Sequence, residues 1–185
     1  MVRRLPRRAA APAVTVLRIG HRAGRDPRLT THLGLAARAL GAERMLLHPP
    51  DDALAARLAA IGHRWGGTFA VEGVADWRSA VRAHAGAVVH LTMYGLPLDR
   101  QLPRLRRHPR LLVVVGGAKV PRDLYALADY NVAVGSQPHS EVAALAVLLD
   151  RLRGLPPPAT WRGGTDAIVP RAHGKLVRRA PEGTR

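Results

Sequence analysis

No cysteine occurs among the 185 residues, which excludes disulfides, thiolate metal sites and a cysteine nucleophile. Aromatic residues make up only 4% of the chain, so its core must be aliphatic, built mainly from Leu, Val and Ala. Acidic residues are also scarce, 13 against 29 lysines and arginines, which leaves a formal net charge of +16 and a pI near 11.8. That excess argues against a cationic partner and points to a polyanion, nucleic acid first. A bias towards arginine codons explains why Lys119 and Lys175 are the only lysines, but it does not explain the missing carboxylates. No apolar run approaches the ~20 residues of a membrane span. Residues Met1–Pro12 carry arginines like a signal peptide without the long apolar stretch that should follow. They read as a solvated basic arm or an over-extended start. The cytoplasm, a reducing compartment, fits these features best.

What is present is enough hydrophobic sequence, 47%, to bury the core of one α/β domain. Short β-rich runs (Val14–Ile19, Arg44–His48, Thr68–Glu72, Ala87–Leu91, Leu111–Val115, Tyr130–Val134) alternate with helical patterns. The helical patterns lie near Leu33–Leu40, Asp51–Ile61, Asp76–His84, Leu98–Arg107, Pro121–Ala128 and Ser140–Arg153. Asp51 and Asp76 suit N-caps, and Pro121 suits a first helical turn. Runs such as Leu111–Val115 do not alternate with polar residues, so they should be covered on both faces, as in a mostly parallel sheet with flanking helices. Val142–Leu149 is apolar without interruption, which implies burial on all sides, in the core or shared with a subunit interface. Three regions are expected: a basic extension over 1–12, a domain over 13–153, and a segment over 154–185. The last begins with a semi-rigid Leu155–Pro158 spacer and continues as a hairpin or loose tail.

Common nucleotide and metal signatures are missing. There is no G-x-G-x-x-G after the first strand, no G-x-x-x-x-G-K-[ST], and no His-Glu-x-x-His among nine histidines, so no metal site is expected. Glycines and polar residues cluster instead where strands end, the place where open α/β sheets bind ligands. Gly20–His32 surrounds two glycines with Arg22, Arg25 and Arg28 ahead of a helix, a pattern that suits phosphate or, equally, a solvated basic loop. Gly116–Pro121 and Gly135–Glu141 each join a strand to a helix. Glycines there allow close backbone approach to a ligand, although the first segment alone would read as a tight turn.

These segments, together with His90–Gly95 (HLTMYG), resemble the archaeal tRNA cytidine 2′-O-methyltransferase family that acts at position 56 of the T loop, a branch of the SPOUT superfamily. The matching stretches are LRIGHRAGRDPRLTTHLGLAARALGA, RWGG, HLTMYG, VVGGAKVPRDLYALADYNVAVGSQPHSEVAALAVLLDRL and, in the tail, IVPRAHGK. The resemblance implies a homodimeric α/β fold with a C-terminal trefoil knot, tRNA as partner, and S-adenosylmethionine as cofactor. It places the cofactor on Leu91, on Gly116, Gly117, Ala118, Lys119 and Val120, and on Val134, Gly135, Ser136, Gln137, Pro138, His139, Ser140 and Glu141. A reactive sulfonium brings its own electrophile, so no metal is called for. Two departures stand out. Leu29 and Leu35 occupy the places where ribose methyltransferases of the superfamily carry an Asn and an Arg, and Ala118 stands where relatives have an acid. The catalytic arginine is then sought among Arg22, Arg25 and Arg28, with Arg38 next, and the proton acceptor is a phosphate oxygen or a side chain, with His32 and His139 as secondary candidates. A non-catalytic RNA-binding protein on the same fold is the competing reading, and a tight cofactor site would separate the two.

Overall fold

The computed structural model describes residues 11–25, 27–117, 119–154 and 161–179. Most of the 1–12 extension, the Leu155–Pro158 spacer and Ala118 therefore lie outside the described residues. The elements run β1 (Ala13–Arg18), α1 (Pro27–Ala39), β2 (Arg44–Leu47), α2 (Asp52–Trp65), β3 (Ala70–Gly73), α3 (Trp77–Arg82) and β4 (Ala87–Pro97). They continue α4 (Leu98–Leu105), β5 (Arg110–Val115), α5 (Asp123–Leu127), β6 (Tyr130–Ala133), α6 (Glu141–Arg153), β7 (Asp166–Val169) and β8 (Leu176–Arg179).

Six strands form one sheet in the order β3-β2-β1-β5-β4-β6, with every neighbouring pair parallel. Because strand side chains alternate, β5 feeds both faces. Leu111, Val113 and Val115 join a core with α1, α2, α4 and α6, while Leu112 and Val114 pack with Trp77, Val81 and Leu124 of α3 and α5. Both expected caps form: Asp51 accepts from the Leu54 N–H, and Asp76 accepts from the Arg78 and Ser79 N–H groups.

Three expectations change. α5 begins at Asp123 rather than in a turn opened by Pro121, and is only 5 residues long. β4 does not stop at Leu91 but continues to Pro97, because Leu91 and Leu96 both register against Val132 of β6 and the residues between them bulge. The apolar helix α6 is not buried all round: Ala144, Leu145, Leu148 and Leu149 face the core, whereas Ala143 is exposed and Val147 is 39% exposed.

Residues 166–179 form an antiparallel hairpin, β7–β8, and the segment before it is anchored. Gly67 N–H donates to the Arg162 carbonyl (2.8 Å), Thr165 N–H to the His63 carbonyl (3.3 Å), and Arg64 pairs with Asp166 (2.8 Å). Gly66 has φ +77°, and a Cβ there would lie 2.5 Å from the Trp161 carbonyl oxygen. Only glycine serves at that contact. The RWGG stretch is thus the seat of the C-terminal segment.

Candidate active site at the carboxyl edge of the sheet

The carboxyl ends of β1, β4, β5 and β6 meet at one edge of the sheet, and a cavity of about 230 Å³ opens there. Leu91, Val115, Val120, Val134 and Ala144 form apolar walls; Gly116 and Gly117 leave bare backbone; His90, Tyr125, His139 and Glu141 supply polar groups. Of the residues singled out in the sequence, Leu91, Gly116, Gly117, Val120, Val134, His139 and Glu141 line it. Lys119, Gly135, Ser136, Gln137, Pro138 and Ser140 belong to the same two strand-to-helix loops without lining the cavity.

The arginines are distributed differently. Arg22, Arg25 and Arg28 are exposed and none lines the cavity. Their loop is clamped at its base by buried His21, whose ring nitrogens lie 2.9 Å from Thr30 Oγ1 and 3.1 Å from Asp51 Oδ2. The Leu54 N–H and His21 hold the Asp51 carboxyl below its ordinary range. Arg38 donates to the Gly66 carbonyl and so braces the seat of the C-terminal segment; burial lowers its pKa. His32 is exposed on α1 and does not line the cavity.

The side chain that sequence reasoning missed is Arg18. It ends β1 on the face of Val14 and Val16, is 1% exposed, and its Nη1 lies 2.9 Å from Glu141 Oε1 at the start of α6. Its Nη2 is 3.7 Å from where a Cβ on Gly117 would sit. One buried cation therefore sits against the start of α6. An arginine between Leu17 and Ile19, inside a strand covered on both faces, was the available signal. Among the described residues, no group of three or more His, Asp or Glu could hold a metal ion, and no helix is long and apolar enough to cross a membrane.

Residues 65–178 match the family model described as tRNA ribose 2′-O-methyltransferase, aTrm56. The chain belongs to this family. Among its relatives, the tRNA (cytidine(56)-2′-O)-methyltransferase of Methanothrix thermoacetophila is 48% identical over 167 residues, covering 89% of this chain and 96% of the relative. The enzyme of the same name from Cenarchaeum symbiosum is 52% identical over 142 residues, covering 76% and 81%. Solved structures agree on the fold. A putative RNA methyltransferase of the TrmH family from Porphyromonas gingivalis superposes with a TM-score of 0.59 at 15% identity, over 78% of this chain and 61% of that one. The SpoU methyltransferase AviRb of Streptomyces viridochromogenes, solved in complex with AdoMet, gives 0.54 at 19% identity, over 80% and 59%. The chain thus spans about three fifths of the length of these structures. This member of the tRNA ribose 2′-O-methyltransferase family has a cavity bounded by two glycine-bearing loops and bordered by the Arg18–Glu141 pair.

Proposed function

We propose that this protein transfers a methyl group from S-adenosylmethionine to the 2′-oxygen of cytidine 56 in tRNA. The observation that carries this reading is the similarity to enzymes of that name over 89% of the chain. The cavity is compatible with the cofactor. A Cβ on Gly117, which lines the cavity, would meet nothing closer than 3.7 Å, so the backbone there is approachable by a ligand. Leu91, Val120 and Val134 would hold the flat base, and the Gly116–Gly117 backbone the ribose. When bound, the cofactor supplies a methyl group on a positively charged sulfur.

The chain's own task is to orient a weakly acidic hydroxyl, accept its proton and stabilise the oxygen as it becomes nucleophilic. Glu141 and His139 are the cavity-lining groups able to take that proton. Exposed Arg22, Arg25 and Arg28 suit tRNA phosphates, positioning the backbone rather than reacting. We read the protein as cytoplasmic, where its tRNA substrate resides, and as a homodimer: Val147 on α6 (39% exposed), Leu96 (59%) and Tyr94 (77%) leave apolar surface for a second copy. We also read Gly116–Val120 and Val134–Glu141, which flank a single cavity, as the loops of a C-terminal trefoil knot.

The decisive substrate is tRNA carrying 2′-deoxycytidine at position 56, offered with labelled S-adenosylmethionine beside the unmodified tRNA. Label is expected in the unmodified tRNA alone, because the reaction needs the hydroxyl itself. Equal labelling of both would overturn the ribose assignment, and labelling of neither would overturn the enzymatic one. The cofactor site has its own test in Gly117→Val. A Cβ there makes only ordinary van der Waals contact, with Arg18 at 3.7 Å, so thermal unfolding should change little beside the loss of affinity. Crowding of the ligand should cost ~1.5–3 kcal/mol, roughly tenfold or more in affinity for S-adenosylhomocysteine by calorimetry. Unchanged affinity would remove this loop from the site.

A further inference from the structure

Arg22, Ala23, Gly24, Arg25 and Arg28 are all exposed. Among these residues the loop after β1 buries no side chain of its own, so polar ties give it order. One tie is local: the Arg25 N–H donates to the Arg22 carbonyl (3.0 Å). The others converge on His21, which is 2% exposed. Its N–H donates to the His48 carbonyl just past β2 (3.0 Å). Its ring reaches two helices. Nδ1 lies 2.9 Å from Oγ1 of Thr30, a fully buried residue in the first turn of α1, and Nε2 lies 3.1 Å from Oδ2 of Asp51, the cap of α2. Asp51 Oδ1 accepts from the Leu54 N–H (2.9 Å), and the two bonds together hold this carboxyl ionised. A carboxylate can only accept, so Nε2 carries a proton and donates it to Asp51. The contact of Nδ1 with Thr30 then ties residue 21 to residue 30 and closes the loop around Arg22, Arg25 and Arg28.

We infer that His21 is a positioning residue for the RNA substrate: its ring, held between Thr30 and Asp51, sets the loop in place before tRNA phosphates reach Arg22, Arg25 and Arg28. This rests on the reading above that these arginines meet tRNA phosphates. Packing α1 against α2 does not call for a histidine, since an apolar side chain can fill a buried space without polar partners. What the ring adds is a directed bond from the loop to each helix. A loop ordered in this way loses its conformational freedom on folding rather than on binding, so its arginines bind more tightly without any added contact. His21 does not line the cavity. It acts through the arginines and not on the reacting atoms.

The test is single-turnover methylation by the full chain at saturating S-adenosylmethionine, with tRNA titrated. Thr30→Val keeps the volume and removes only the hydroxyl, Thr30→Ser keeps the hydroxyl, and His21→Phe removes both ring contacts. The half-saturating tRNA concentration should rise about fivefold in Thr30→Val and about tenfold or more in His21→Phe. Thr30→Ser should behave like the original. The maximum rate and the affinity for S-adenosylhomocysteine should stay within about twofold in Thr30→Val, a split that general loosening of the fold would not give. The salt dependence of tRNA binding should keep its slope, because every arginine remains, whereas Arg25→Ala should lower that slope by about one. If His21→Phe does not fold, Thr30→Val decides together with amide exchange: the Arg25 N–H should exchange faster in it while the amides of β5 do not. Half-saturation within twofold of the original in Thr30→Val overturns the inference. So does Thr30→Ser as weak as Thr30→Val, or a fall in maximum rate with tRNA affinity kept. If replacing Arg22, Arg25 and Arg28 together by alanine leaves tRNA affinity unchanged, the phosphate reading falls and the role of His21 with it. If those replacements weaken binding and Thr30→Val does not, the role of His21 alone falls.

Discussion

Arg18→Leu is expected to slow single-turnover methylation by ~10²–10³, the scale of losing one preorganised electrostatic contact, and to destabilise the fold at the same time. Removing one member of a buried ion pair typically costs ~3–5 kcal/mol. Glu141 keeps 20% of its side chain exposed, so the lower end, about 3 kcal/mol, applies. For a chain of this length that lowers Tm by roughly 6–12 °C. The double variant Arg18→Leu/Glu141→Gln leaves no stranded charge and should recover most of the stability. It should not recover turnover, because Arg18 is the buried cation held against Glu141, which lines the cavity. Turnover that returns with stability in the double variant would reduce Arg18 to charge balance. A single variant as stable and as fast as the original would dismiss the pair altogether.

The parallel sheet was legible because its signal is local. Leu111–Val115 has no polar alternation, Asp51 and Asp76 stand where helices must start, and each strand-to-helix segment falls within a few residues of the observed one. Both glycine loops were legible for the same reason, and they do border the cavity. What escaped was non-local. Arg18 looks like a strand exception until Glu141, 123 positions later in the chain, is brought against it. The role of RWGG depends on carbonyls of residues 161 and 162, which no window around it contains. Arg38, the next arginine in line after Arg22, Arg25 and Arg28, donates to the Gly66 carbonyl, a partner 28 positions away that no local window contains. For helix α6, a continuous apolar run reports what could be buried, in the core or at a subunit interface, not whether this chain alone covers it. The extension of β4 past Leu91 was hidden for a geometric reason: its second pairing with Val132 needs a bulge, and bulges leave no period in the sequence.

That bulge leaves no room for a side chain at Gly95, and Gly95→Ala is expected to lose both stability and the site. Between the two pairings of β4 with Val132, the residues Thr92, Met93 and Tyr94 line the cavity. Gly95 closes this excursion and returns the chain to β6. A Cβ on Gly95 would lie 2.5 Å from both the carbonyl carbon and oxygen of Asn131, and against the Val132 nitrogen. These are backbone atoms in a paired strand and cannot rotate aside, so β4 must lift from β6. Overpacking usually costs 1–3 kcal/mol; with no flexible neighbour to yield, about 3 kcal/mol is expected, or a Tm lower by roughly 6–12 °C. The displacement also reaches Asn131, which holds the His90 ring, so affinity for S-adenosylhomocysteine should fall by more than the tenfold assigned to crowding at Gly117. Gly62→Ala provides the contrast. A Cβ there meets nothing within 4 Å, and alanine is the better residue within a helix by up to ~1 kcal/mol. Thermal unfolding of the two variants side by side should move in opposite directions. If Gly95→Ala melts with the original protein and binds the ligand as tightly, β4 can slide along β6, and the bulge does not hold the site.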